Sequence, residues 1–343
     1  MRRVGRRPGR RSRRITSRIT LSTTFRAMIF AAVPLLGTTA ACGTVTSALP
    51  AVGDPLPAAV TRQSPLPARS TASPGCGDRT ASLRPPVTLP PPGQPDGPTL
   101  REIVDRGYLT AGVRPDTPPF GSRHPDTGEF EGFDVDLALL VGRALFGADG
   151  HVRFRAVTGA DRVALVRDGT LDLVAATLTI TCERADEVDF SAPYYRTAKA
   201  VLVLEDAPYQ GLADLGGRRV CAAAGTTSLQ QVVDAPSRPI PVQLASPADC
   251  LVALQAGTVE AIVNDEAVLV GMVKQDPETR IVGVGAFDVA MGIAVARDAP
   301  DLTRFVNGML ERADRDGTWT AIHRRWLGDV RQPPPPPAPV YRD

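Results

Sequence analysis

Lysine is almost missing from this 343-residue chain: of 39 basic residues, only Lys199 and Lys274 are lysines. The cations are therefore guanidiniums, and in so arginine-rich a chain no single arginine carries weight without its context. Histidine is scarce as well. His124, His151 and His323 fall outside every motif described below, and exposed surface is their default. With no CxxC and no His-rich spacing, the pattern offers nothing for zinc; neither metal nor cofactor is expected. Acid is absent from residues 1–26, which hold ten arginines. Setting those ten aside leaves 29 basic against 37 acidic residues. That balance of −8 argues against nucleic-acid binding by bulk charge. The N-terminal apolar run AMIFAAVPLLG is too short for a stable membrane span and contains Pro34.

What is present at the N-terminus is the order of a targeting segment over residues 1–41. A basic stretch, a short apolar run and the small residues TTAACG follow one another. Cysteine directly after TTAA resembles a lipobox, making Cys42 the lipidated first residue of a mature, membrane-anchored extracytoplasmic protein. Thr39 stands where such motifs carry a large aliphatic residue. Residues 42–99 are rich in Pro, Ala, Ser and Gly, a composition that buries no core and reads as a semi-extended tether. The tail 330–343, with its QPPPPPAP run, reads as polyproline II.

Between roughly 100 and 329 the pattern is α/β. Short apolar runs (YLTAGV, LDLVAATLTI, AKAVLVL, RRVCAAA, AIVND, GIAVA) alternate with helical stretches (FDVDLALLVGRALFG, DRVALVRDG, ADCLVALQAG, DLTRFVNGMLERADRDG). That interval favours parallel or mixed sheets flanked by helices. Trp319 and Trp326, seven apart on one helical face, read as core. Apart from Cys42, Cys76, Cys182, Cys221 and Cys250 suit disulfides in an exported chain, with three pairings open.

Six blocks in order (GYLTAGVRPDTPPF, GEFEGFDVDLA, DGTLDLVAATLTITCERADEVDFSAPYY, DLGGRRVCAAAGTTS, ALQAGTVEAIVND and MGIAVARDAPDLTRFVNGMLERADRDGTW) resemble the bacterial extracellular solute-binding proteins of the polar amino-acid family. The resemblance spans the whole core. It implies a two-lobed periplasmic-binding-protein-like α/β fold with two crossing hinge segments, near 194–198 and 287–292, closing over a ligand. Lobe 1 would be 100–194 plus 292–329, and lobe 2 198–286. It places Cys221 and Cys250 in one lobe, and on that ground pairs 221 with 250 and 76 with 182.

The resemblance also implies site residues. Arg184, the arginine of a TITxxR stretch, would hold a ligand α-carboxylate, with Thr177 and Thr179 adding hydroxyl and backbone contacts. Thr226 and Thr227 would open a helix whose N–H groups face the same carboxylate. Asp265 would receive the α-ammonium, since a buried charge needs a partner. Arg114 and Thr117 stand where many relatives have an acid and a stacking aromatic. Gly159 replaces a second aromatic, with Arg162 three residues on. Arginines at 114 and 162 resemble the glutamate- and aspartate-specific members and suit a second carboxylate. The expected ligand is therefore glutamate or aspartate, with asparagine and glutamine tolerated. Phe120 is assigned to the core, and Asp134 and Asp136 to capping or bracing a helix.

The function implied is a monomeric, lipid-anchored binding protein that delivers an acidic amino acid to an ABC permease. A sensing lipoprotein reporting to a membrane receptor would share the same pocket. A periplasmic dehydratase on this fold would need a general acid or base above the ligand; none is evident, so no catalytic residue is expected.

Overall fold

The computed structural model describes residues 65–69, 78–286, 288–328 and 337–342. Cys42 and Cys76 lie outside them, as does Phe287 of the second expected crossing.

Two five-stranded sheets follow one plan. The first runs in the order Val152–Ala156, Leu109–Val113, Leu173–Val174, Ala294–Val295, Asp189–Phe190. The second runs Ile240–Leu244, Arg219–Ala223, Ala261–Asp265, Lys199–Leu204, Thr279–Val282. In each, the first three strands are parallel and the fourth is antiparallel to both neighbours. Parallel neighbours need crossovers, and helices supply them: Phe133–Phe146 and Arg162–Arg167 in the first sheet, Thr227–Asp234 and Pro247–Gln255 in the second. This plan gathers the carboxyl ends of the parallel strands at one edge of each sheet, where open α/β sheets bind ligands. Between the sheets, Tyr195–Thr197 pairs antiparallel with Val289–Met291, Tyr195 opposite Met291. The sequence-level expectation of an α/β fold with two crossing segments holds.

Local sequence explains the elements. Helix Pro300–Arg315 starts at a proline, which lacks only an N–H that would go unpaired there. It buries Leu302, Phe305, Val306, Met309, Leu310 and Ala313, the 3–4 spacing of an apolar stripe. Ser246 and Asp249 form a reciprocal capping box at the start of Pro247–Gln255. Cys221 and Cys250 are disulfide-bonded with Cα atoms 5.6 Å apart, tying that helix to strand Arg219–Ala223. Cys182 is disulfide-bonded too.

Three readings change. The stretch after residue 78, expected to belong to the tether, forms the strand Ala81–Leu83, paired in parallel with Val340–Arg342 of the expected polyproline tail. Ser82 is buried there, donating to Phe190 O at 2.6 Å and accepting from Asn307 Nδ2 at 2.7 Å. His323, expected at the surface, is fully buried against Phe133, Tyr195 and Trp319, and burial pushes its imidazole pKa down. His124 and His151 are half-buried. Phe120 and Trp319 are core residues as expected, and Trp326 is partly buried. Among the described residues, no helix is long and apolar enough to cross a membrane.

Candidate functional site

The strand ends deliver the side chains. Arg114 follows strand Leu109–Val113, Arg162 opens the helix after Val152–Ala156, and Thr177 and Thr179 follow Leu173–Val174. From the second sheet, Thr226 and Thr227 follow Arg219–Ala223, and Asp265 ends its strand. Lys199 joins them because its strand is antiparallel: its first residue lies directly opposite Asp265, the last of the neighbouring strand. Opposite charges at such a cross-strand position attract.

Arg114 and Arg162 do not face solvent, and Arg184 is half-buried. Arg114 is 2% exposed and is held by Asp116, Nε to Oδ1 at 2.8 Å and Nη2 to Oδ2 at 2.7 Å. Its remaining nitrogen, Nη1, points at Gly159. Arg162 is 3% exposed; Nη1 donates to Ala176 O and, at 3.4 Å, to Thr177 O, while the buried Nε has no partner. Burial, then the Arg184 and Arg114 charges, hold the Arg162 pKa well below its usual range, with Asp265 pulling the other way. Arg184 donates from Nη1 to Thr179 O at 2.7 Å and from Nη2 to Gly225 O at 3.0 Å, so it bridges the two sheets' loops. Burial lowers its pKa to about 10. The Arg184 and Arg114 guanidiniums thus lie near enough to Arg162 to lower its pKa.

Thr177 has φ of 47°, a region a β-branched residue enters only under constraint. Its N–H donates to Asp134 Oδ2 at 2.7 Å and its hydroxyl to Ala176 O at 2.8 Å. Asp134 is 1% exposed. Burial raises its pKa to about 7 against the lowering contacts of Tyr194, Thr177 and Arg162. Asp134 thus braces the Thr177 loop rather than capping its own helix, whose N-cap is Gly132. Asp136 braces a different helix, accepting from Trp326 Nε1 at 2.7 Å.

On the opposite side, Thr226 caps helix Thr227–Asp234. Its hydroxyl accepts from Leu229 N–H at 3.2 Å and donates to Ala223 O at 2.6 Å. That hydroxyl is committed, so its place at the site is to fix where the helix begins. Thr227 Oγ1 lies 3.4 Å from Thr179 Oγ1. Asp265 is 4% exposed, makes no side-chain cap to the helix that follows, and forms an ion pair of 2.7 Å with Lys199. Lys199 also donates to Ser228 Oγ at 2.9 Å. Burial lowers the Lys199 pKa despite Asp265, and Arg184 and Arg162 add to the lowering.

The two sets of loops touch at Gly159 and Gly225. A side chain at Gly159 would collide with Ala224 O, and one at Gly225 would lie 2.5 Å from Gly159 O. Glycine in place of an aromatic at 159 thus permits backbone-to-backbone approach. Thr181 and Thr227 line two hollows: one of about 360 Å³ that includes Lys199, and one of about 880 Å³ that includes Arg184 and Pro65. Of the eight sequence-derived ligand candidates, Thr179, Arg184, Thr226 and Thr227 line these hollows, while Arg114, Arg162, Thr177 and Asp265 are buried at the same strand ends. Sequence reasoning missed Lys199, Ser228 and Asp116. The signal for Lys199 was its rarity; for Asp116, its two-residue spacing from Arg114.

Comparison with known proteins is consistent with this geometry. The family described as bacterial extracellular solute-binding proteins, family 3, matches residues 109–329. The chain is 32% identical over 230 residues to the ABC transporter glutamine-binding protein GlnH of Bacillus subtilis, covering 67% of this chain and 84% of that one. It is 31% identical over 259 residues to the glutamate-binding protein GluB of Corynebacterium efficiens, covering 72% and 88%. Among solved structures, an ancestral arginine-binding protein bound to arginine aligns with a TM-score of 0.61 at 32% identity, over 65% of this chain and 99% of that one. These relatives are binding proteins for a neutral, an acidic and a basic amino acid. The chain belongs to the bacterial extracellular solute-binding proteins, family 3.

Proposed function

We propose that this protein is an extracytoplasmic binding protein for glutamate or aspartate, held to the membrane through lipid on Cys42 and handing its ligand to an ABC permease. The observation that carries the reading is the buried, unpartnered Nε of Arg162 among the guanidiniums of Arg114 and Arg184. A buried donor on a cation repelled by its neighbours is costly, and a bound carboxylate relieves both costs. In this reading Arg184, Thr179 and the first N–H groups of helix Thr227–Asp234 take the α-carboxylate. Arg162, with Arg114 Nη1 behind it, takes the side-chain carboxylate. Thr177 supplies backbone contacts, and Asp265 faces the amine. Segments 100–194 with 292–329, and 198–286, move as the two closing lobes.

A binding role without catalysis is favoured by the one carboxyl held near neutrality. Asp134 is buried and accepts from Thr177 N–H, where it supports the Thr177 loop. The test is a thermal-shift screen of the 20 amino acids on the full chain, since ligand bound to the native state raises the melting temperature. Glutamate and aspartate should give the largest shifts. A largest shift from arginine, lysine or histidine would refute the acidic assignment.

A further inference from the structure

The charges in the cleft do not balance for an amino acid. Arg114 is neutralised by Asp116 through two hydrogen bonds. Asp265, the group placed to receive an ammonium, is neutralised by Lys199 at 2.7 Å, with the two side chains 6% and 14% exposed. Lys199 is further anchored by Ser228. Arg162 and Arg184 remain: among the described residues their guanidiniums are bonded to backbone carbonyls, and Asp134, the carboxyl near Arg162, is turned to Thr177 N–H and kept protonated by burial up to about pH 7. While Asp134 is protonated, two cations without a hydrogen-bonded carboxylate call for a ligand of charge −2. Glutamate carries two carboxylates and an ammonium, net −1, and its ammonium must find an anion. To reach Asp265 it would have to displace Lys199, leaving that ammonium enclosed beside Arg162 and Arg184, the two cations that already lower its pKa.

We propose that Lys199 is a built-in substitute for the ligand's α-ammonium, and that the cleft takes short dicarboxylates lacking an α-amino group, of the glutarate and succinate class, at least as tightly as acidic amino acids. This rests on the reading of the cleft as a site for two carboxylates. One carboxylate meets Arg184, the other meets Arg162, and the Lys199–Asp265 pair stays closed as part of the wall. A specificity role for Lys199 follows from its place alone: one of two lysines in the chain, it lies in register with the residue an amine would need.

The test is calorimetric titration of the full chain at pH 7 with glutarate, succinate, L-glutamate and L-aspartate, repeated on Lys199→Met. Glutarate or succinate should bind the wild type with a dissociation constant no larger than that of the amino acid of equal length. Lys199→Met should shift the ratio at least tenfold toward the amino acid, because Asp265 is then free to receive an ammonium. Tighter binding of glutamate and aspartate by the wild type would overturn the proposal while leaving the acidic amino-acid reading intact. If neither acids nor amino acids of this length bind, both readings fall. An unchanged ratio in a Lys199→Met protein that melts cooperatively would remove Lys199 from the account; the wild-type ranking needs no variant.

Discussion

The two walls of the cleft are built on the same sheet plan and differ in how they handle charge. The wall from the first sheet holds Arg114, Arg162 and Arg184, of which, among the described residues, only Arg114 is hydrogen-bonded to a carboxylate. The wall from the second sheet pairs its charges internally: Thr226 caps its helix, and Asp265 and Lys199 neutralise each other, although the buried Asp265 Oδ1 accepts no well-oriented hydrogen bond among the described residues. An incompletely matched wall gains most from a ligand, while a self-satisfied wall mainly shapes and encloses it. In the proposed reading, selection for charge belongs to the first wall, and enclosure to the second.

The strongest way to break this contrast is Arg184→Ala. It removes the proposed α-carboxylate partner and also the bridge from Thr179 O to Gly225 O, so affinity for every ligand should fall at least ~100-fold by calorimetry, the cost of truncating one side of an enclosed charge pair. Arg162→Met should be selective, lowering glutamate affinity about 30-fold and glutamine affinity less than about 5-fold, since only a charged side chain gains from the guanidinium. Equal losses for both would remove charge selection from the first wall. Gly159→Val tests enclosure. The added side chain meets Ala224 O, so binding of all ligands should weaken about tenfold alike by the same titration, as expected when closure is impeded without removing a charge contact.

The smallest effect is with pH. The Asp134 pKa is raised by burial to about 7, above its unfolded value near 3.8, so between these limits the folded protein retains a proton that the unfolded chain releases. The associated stability is fully present below the unfolded value and declines as pH rises toward about 7. Above that pH the new carboxylate lies beside Arg162 and competes with an anionic ligand for its charge. Glutamate affinity should accordingly drop a few-fold from pH 6 to pH 8. Asp134→Asn, which keeps an acceptor for Thr177 N–H, should flatten both profiles, as read by titration and by thermal melts across pH. A slope that persists in the variant would assign the effect to another group.

Much of this was legible in the chain. The alternation of short apolar runs with amphipathic helices predicts the sheets, and the gathering of Arg114, Arg184 and Asp265 was implied by the resemblance that the ordered blocks around them carry. What escaped depends on pairing between distant segments. Lys199 faces Asp265 only because strand Lys199–Leu204 runs antiparallel to Ala261–Asp265, a register no local pattern encodes. Ala81–Leu83 is likewise a strand only because Val340–Arg342 lies beside it; its own neighbourhood reads as tether. His323 was within reach, since it lies one turn from Trp319 on the apolar face of helix Thr318–Leu327, and face should have outweighed residue type.

Glutamate and glutamine differ by one charge at nearly constant shape, so their affinities isolate the contribution of the first wall. Titration of the wild-type protein with each at pH 7 should show glutamate binding at least about tenfold more tightly, the worth of one charge-assisted contact. Equal or tighter binding of glutamine would contradict the assignment of Arg162 and Arg114 to a second carboxylate.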